Sequence, residues 1–269
     1  MTTKRGRVLA GGTDLFLWLK SGKADVDVLV DVSAIEALRT IDVRDDQVVF
    51  GAAVTHAEVA AHREIKALFP ALADGCRSVG SPQIRNVATL GGNIVSAQPA
   101  ADSVVPFVAL DAQCEIASSS GTRVVPLEEL YEGVGKSRVD ATKEIITKII
   151  VKRPDGPSAN AYSRISPREA MSLPVVNAAS LIVTDGKVIV EARIVTAPVA
   201  TTPFRAKRAE AFLVGKNPSS LGDLAEAASI AQDEARPRDS LVRGSGEYRK
   251  ILVKDLVEMT LYRAAERLG

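Results

Sequence analysis

VLAGGTDL at residues 8–15 and NVATLGGNI at residues 86–94 are the stretches on which the fold turns. Each sets a Gly-Gly pair beside a small apolar run, and 80 residues separate Gly11 from Gly91. A glycine pair lets the backbone take φ > 0 and lets another group approach it closely. One pair would be a turn; two in similar surroundings read as two halves of one site.

Outward from the first pair, RVLA (7–10) and VLVDV (28–32) read as short buried strands around a helix in TDLFLWLKSG (13–22). Thr13 or Asp14 would cap that helix and Gly22 would end it. TIDVRDDQVVFG (40–51) reads as a hairpin turning at Asp45-Asp46, and THAE (55–58) as a capping box. Residues 56–79 are helical in pattern, interrupted at Pro70. The segment 81–102 shows no clear period, and so long an irregular stretch is usually functional. A helix over 103–112, a hairpin through Ser119-Ser120-Gly121 and a strand EIITKIIV (144–151) follow. RPDGPSAN (153–160) marks a boundary, dividing the chain into 1–155 and 156–269. Beyond it come a strand pair through Asp185-Gly186, the strongest hairpin signal present, and helices near 206–214, 219–235 and 246–267.

The bulk numbers narrow the function classes. With 34 basic and 33 acidic side chains, no global field draws the chain to nucleic acid or an anionic membrane. No apolar run reaches the roughly 18 residues of a membrane helix, and MTTKRGRVLAGG has no secretory core, so a cytoplasmic protein is expected. Cys76, Cys114, His56 and His62 lack the spacing of a zinc or iron-sulfur site and read as buried thiols and ordinary helix histidines.

Backbone N–H groups around a Gly-Gly turn leading into a helix suit an anion such as a pyrophosphate. AGGTDL is neither GxGxxG nor a P-loop, so a plain tight turn stays open. Thr89 and Asn93 bracket the second pair with a hydroxyl and an amide. Asp102 either accepts from a ligand hydroxyl or caps the following helix.

Taken in order, VLAGGTDL, GAAVTHAE (51–58), IRNVATLGGNI (84–94) with PAAD (99–102), and EIITKIIV resemble the FAD-binding medium subunits of the molybdenum hydroxylases, of xanthine dehydrogenase and aerobic carbon monoxide dehydrogenase type. The resemblance implies an α+β chain: a two-subdomain α/β FAD-binding domain (PCMH/VAO-like) over 1–155, then a small domain with an antiparallel sheet and a helix bundle. It implies FAD at Leu9, Ala10, Gly11, Gly12, Thr13, Asp14 and Leu15, and at Thr89, Leu90, Gly91, Gly92 and Asn93, with both pairs at the pyrophosphate. By the same matching, Val79 and Ile146 would line the flavin or adenine pocket and Asp102 would hydrogen-bond the cofactor. Arg164 stands where the family often has a lysine near the flavin ring, and Arg168 matches a recurrent arginine. Arg164 would steady charge on a reduced flavin or form a surface ion pair. The family's initial strand and helix are expected to be shortened, since nine residues precede Ala10.

The implied role is electron transfer. A large molybdenum-cofactor subunit would oxidise substrate, a small [2Fe-2S] subunit would relay electrons, and FAD here would pass them to NAD or another acceptor, within a dimer of heterotrimers. No catalytic or metal-ligating residue is assigned to this chain. Arginine-rich segments near 164–168 and 236–243 are docking candidates or solvated charge. The rival readings are a self-contained FAD oxidoreductase and a flavin-free assembly subunit. Valine at Gly12 or Gly91 is expected to leave a folded, flavin-free protein.

Overall fold

A computed structural model of the chain describes residues 5–268; Met1 to Lys4, part of the lead-in expected to be shortened, and Gly269 lie outside the described residues. β1 (Gly6–Leu9), α1 (Leu15–Lys20) and β2 (Val28–Asp31) form a βαβ unit, its strands paired in parallel with Gly6 opposite Val28 and Leu9 opposite Asp31. Gly22, at φ +70°, follows the end of α1 as expected. Two expectations fail here. Asp14 sits at the N-cap of α1 without a capping side-chain bond. β2 is exposed along its length rather than buried, because its sheet has two strands and β1 alone flanks it.

β3 (Ile41–Val43) and β4 (Gln47–Gly51) make the expected hairpin. Thr55 and Glu58 close a full capping box at the start of α2 (His56–Ala61). The helical run then breaks into α3 (Arg63–Leu68) and α4 (Pro70–Arg77). Pro70 has no N–H to donate and disrupts a continuing helix. The backbone around it is caught by a distant side chain: Asn160 accepts from Ala71 N at 2.9 Å and donates to Leu68 O at 3.1 Å.

Residues 81–102 are more regular than their sequence suggests. They hold α5 (Pro82–Arg85) and α6 (Leu90–Val95), capped by Ser81 and Thr89. After α7 (Val104–Ala109) come β5 (Gln113–Ser118), β6 (Gly121–Pro126), the small ribbon β7 (Tyr131–Gly133) and β8 (Lys136–Ser137), and β9 (Glu144–Lys152). The main sheet runs β3-β4-β9-β5-β6, antiparallel at every pairing. Phe50 and Phe107 meet edge to face at 5.6 Å in its core, a favoured aromatic geometry.

The remaining strands, β10 (Ser158–Ile165), β11 (Val176–Thr184), β12 (Ile189–Ala197) and β13 (Phe204–Arg205), form a second antiparallel sheet in chain order. α8 (Lys207–Leu213), α9 (Leu221–Glu234) and α10 (Gly246–Glu266) complete the chain. All nine residues of β11 are buried. Side chains alternate along a strand, so Ala179, Leu181 and Val183 join the first core while Val176, Ala178 and Ile182 join a second core with α8, α9 and α10. This sheet is a middle layer, with α4 and α7 on one face and α10 on the other. It therefore carries side chains from the C-terminal part of the chain up to the glycine segments.

Candidate functional site

The two glycine segments come together, and they do so by backbone. A Cβ on Gly11 would lie 1.9 Å from the carbonyl oxygen of Val87, so only glycine lets the first loop rest on the second segment. Gly12 adopts φ +70° and turns the chain into α1. Among the described residues, no acceptor meets the backbone N–H of Gly11, Gly12, Thr13, Asp14 or Leu15. A run of unpaired donors at the start of a helix is the arrangement that suits an anion.

The second segment is built differently. Gly91-Gly92 is not a turn but the first turn of α6, with the Thr89 hydroxyl accepting from Gly92 N at 3.2 Å. Its N–H groups are already engaged: Leu90 N donates to Val54 O at 2.9 Å, Gly91 N to Ala52 O at 2.8 Å, and Asn93 N to Thr89 O at 3.0 Å. The expected free donors around this pair are thus absent, because the segment is stapled along residues 52–56. Gly91 is small for packing, since a Cβ there would meet Ala52 at 2.8 and 2.9 Å. Gly92 is exposed, and a Cβ on it would meet only the Thr89 hydroxyl, at 3.0 Å.

Between the segments lies a cleft of about 430 Å³, within the range of organic-ligand sites. Fourteen of the sixteen residues singled out from the sequence line it: Leu9, Ala10, Gly11, Gly12, Thr13, Asp14, Leu15, Val79, Thr89, Gly91, Gly92, Asn93, Asp102 and Ile146. Leu90 instead points into the first core, fully buried. Arg164 also lies outside the lining. Sequence reasoning passed over Ala52, Ala53, Ile145, Gln98, Met171 and Leu173, which the cleft wall includes. The small Ala52-Ala53 pair, just before the capping box, was the one available signal. Asp14 is half-buried in the wall, and burial raises its carboxyl above the usual range against the pull of Ser96.

Asp102 is the hub beneath the cleft. Its carboxylate accepts from Tyr162 OH at 2.5 Å, from Arg164 Nη1 at 2.8 Å and from Asn177 Nδ2 at 3.4 Å. It is not a helix cap; Ser103 holds that position, without a side-chain bond. Burial pushes the Asp102 carboxyl up to about 6, with Arg164 and Tyr162 pulling it back. Beside that charge and buried, the Tyr162 hydroxyl is held well above its ordinary value.

Arg164 is neither a surface ion pair nor a free cation. Its side chain is 10% exposed, and it also donates to Ser78 O at 3.0 Å, Ser172 O at 3.0 Å and Ser166 Oγ at 3.1 Å. It thereby ties the 166–173 flap to α4 and Asp102, while exposed Arg168 donates to Met171 O at 3.1 Å. With Arg164 engaged by Asp102, attraction for an anion in the cleft comes from the backbone donors of 11–15 and from Arg7, which lines it over the Trp18 ring.

Comparison with known proteins places this architecture. Residues 1–154 match the family model described as the FAD binding domain in molybdopterin dehydrogenase. The chain belongs to that family. Residues 161–264 match a second model, the CO dehydrogenase flavoprotein C-terminal domain. The chain is similar to the nicotinate dehydrogenase FAD-subunit of Eubacterium barkeri, 33% identical over 77% of this chain and 71% of that one. It is 30% identical to the putative xanthine dehydrogenase FAD-binding subunit of Escherichia coli (strain K12), over 98% and 90% of the two chains. Reconstituted CO dehydrogenase from Oligotropha carboxidovorans superposes with a TM-score of 0.89 at 27% identity, covering 98% of this chain and 91% of that one.

The molybdopterin dehydrogenase flavoproteins are oxidoreductase subunits, and FAD is the cofactor of this domain. The cleft fits that group. Unpaired N–H donors suit a pyrophosphate, and Ala53, Leu38, Ile145 and Ile146 give apolar walls for flat rings. The family fold is as expected: an FAD-binding part followed by an antiparallel sheet with helices. Neither cysteine offers a ligand, since Cys76 and Cys114 are buried and burial pushes their thiols up, that of Cys114 to about 12. His56 and His62 stand at the two ends of α2. No helix among the described residues is long and apolar enough to cross a membrane.

Proposed function

We propose that this chain is the electron-collecting FAD subunit of a cytoplasmic molybdenum hydroxylase. Electrons from substrate oxidation at a large molybdenum-cofactor subunit pass through the [2Fe-2S] clusters of a small subunit to FAD here, and on to NAD or another acceptor. The complex is a dimer of such heterotrimers, and this chain divides at 155/156 into FAD-binding and C-terminal parts. One observation carries the reading: residues 11–15, whose backbone N–H groups have no acceptor among the described residues, line the same largely apolar cleft as the exposed Gly92.

FAD, when bound, would supply the redox chemistry. The residues of this chain place and surround it. Gly11 to Leu15 would hold the pyrophosphate by backbone donors, with Thr89 and Asn93 beside it, and Val79 and Ile146 would give apolar surface for the rings. Asp102 acts beside the cofactor through its bonded set with Tyr162 and Arg164, and Leu90 acts from the core by fixing α6.

The test is an ultraviolet-visible spectrum of the purified chain, then heat release and identification of the nucleotide. FAD near one per chain, reduced by the partner subunits and reoxidised by NAD or a dye, supports the proposal. A chain that neither carries nor takes up FAD overturns it.

A further inference from the structure

Arg7 lies in β1, and its guanidinium carbon stands 5.4 Å from the centroid of the Trp18 ring, within the range of a cation–π contact. Both residues line the cleft, and Trp18 is the one tryptophan of the chain. The local fold sets them together. β1 ends just before the Gly12 turn at φ +70°, and α1 runs back alongside β1 to reach β2, which lies parallel to it. Trp18 N donates to Asp14 O at 3.0 Å, so Trp18 sits one helical turn beyond Asp14. Helical side chains lean toward the N-terminus, which carries the ring, and the cation over it, back toward the 11–15 loop.

Three other arginines on or near the cleft are held by carboxylates. Arg5, two positions earlier on the same side of the chain, pairs with Asp25 and Asp27. Arg123 pairs with Glu144, a wall residue, at 2.9 Å, and Arg164 with Asp102 at 2.8 Å. Of the remaining carboxyl groups on these elements, that of Asp31, opposite Leu9, accepts from Ser33 N at 2.9 Å, and that of Asp14, half-buried in the wall, is raised by burial. Among the described residues, no ion pair or side-chain hydrogen bond engages Arg7. An aromatic face attracts a guanidinium without accepting a conventional hydrogen bond from it, so the N–H donors of Arg7 remain for a ligand.

We propose that Arg7 is a side-chain ligand for the pyrophosphate of a dinucleotide in this cleft, held ready by Trp18, and that its charge makes the affinity of the cleft depend on salt. The backbone N–H groups of 11–15 are neutral donors; a guanidinium adds a full positive charge and a planar fork that meets phosphate oxygens in pairs. The contact with Trp18 restrains a long side chain before the ligand arrives, so less freedom is lost on binding. The inference rests on the reading that the cleft takes FAD, and it assigns a role to two residues that flank the AGGTDL loop in the fold.

The experiment titrates FAD into the full chain stripped of cofactor, following quenching of flavin fluorescence at low and at high salt. Arg7→Met should weaken FAD binding by roughly 10- to 100-fold, as loss of a charged hydrogen-bond partner does, and should flatten the decline of affinity with salt that the wild type shows. Arg7→Lys keeps the charge without the fork and should recover part of that loss. Trp18→Leu should cost roughly 2- to 5-fold, the size of an exposed cation–π contact. The urea midpoint of the FAD-free Arg7→Met chain should match that of the wild type, since no ion pair is broken. Unchanged FAD affinity and salt dependence in Arg7→Met overturn the proposal alone and leave the FAD reading standing. A loss of affinity matched by a loss of stability, or one that Arg7→Lys reproduces in full, also overturns it. A wild-type chain that takes up no FAD removes the FAD reading itself, and the role of Arg7 with it.

Discussion

Valine substituted at Gly92 and at Gly91 should fail in opposite ways, although the two positions are adjacent. At Gly92 the new Cβ meets only Thr89 Oγ1, at 3.0 Å, and the position faces the cleft. Valine is a slightly better helix residue than glycine, so the fold of α6 should survive. The added methyls enter space the cofactor needs, and overpacking of about 1–3 kcal/mol converts to roughly 5- to 150-fold weaker binding. At Gly91 the new Cβ lands 2.8 Å from Ala52 Cβ and 2.9 Å from Ala52 O. The Gly91 N to Ala52 O bond of 2.8 Å must then lengthen or break. The same overpacking plus one lost hydrogen bond makes about 2–4 kcal/mol of lost stability. Flavin content and an FAD titration by fluorescence quenching read the first effect, and urea unfolding of the FAD-free chains reads the second. A Gly92→Val protein with unchanged FAD affinity would refute the assignment of the open face. A Gly91→Val protein as stable as wild type would refute the packing argument.

Arg164→Met strips the cation from buried Asp102 and should raise that carboxyl beyond about 6. The loss of stability by urea unfolding should then be largest near pH 8, about 3 kcal/mol as for a broken buried pair, and shrink as the pH falls through the carboxyl's pKa and the group becomes neutral; a loss independent of pH would sink this account. Asn160→Ala removes both bonds that secure the break at Pro70, and should cost about 1–3 kcal/mol; an unchanged urea midpoint would show that the backbone finds other partners. His56 is buried, with no hydrogen-bond partner for either ring nitrogen among the described residues, and burial holds its pKa down to about 4. The unfolded chain thus binds a proton that the folded chain refuses between about pH 6.5 and 4, and stability falls with pH by up to about 3 kcal/mol at 1.36 per unit; His56→Leu should lose less stability over that window than wild type, and equal losses would contradict the assignment.

How far the sequence could be read follows from which interactions are local. The Gly22 stop, the Thr55 to Glu58 box and the Asp185-Gly186 turn are each decided within a few residues, and each stands where its chemistry puts it. Residues 81–102 were opaque because α5 and α6 span four and six residues, too few turns for a 3.6-residue period to show. β11 hid its alternation because both faces are covered, leaving Ala, Leu, Ile and Val at inward positions on either side. Asp102 was ambiguous for a different reason: its partners Tyr162, Arg164 and Asn177 lie 60, 62 and 75 positions away, and no local pattern announces them. The Gly-Gly pairs carry the sharpest lesson. Glycine serves a positive φ at Gly12 and a close approach at Gly11 and Gly91, and composition cannot separate these uses. Only the neighbours do, since Thr89 is an N-cap residue three positions before Gly92. The two segments therefore divide the work: the first keeps its donors free, and the second spends its own on bracing the floor against which the first is laid.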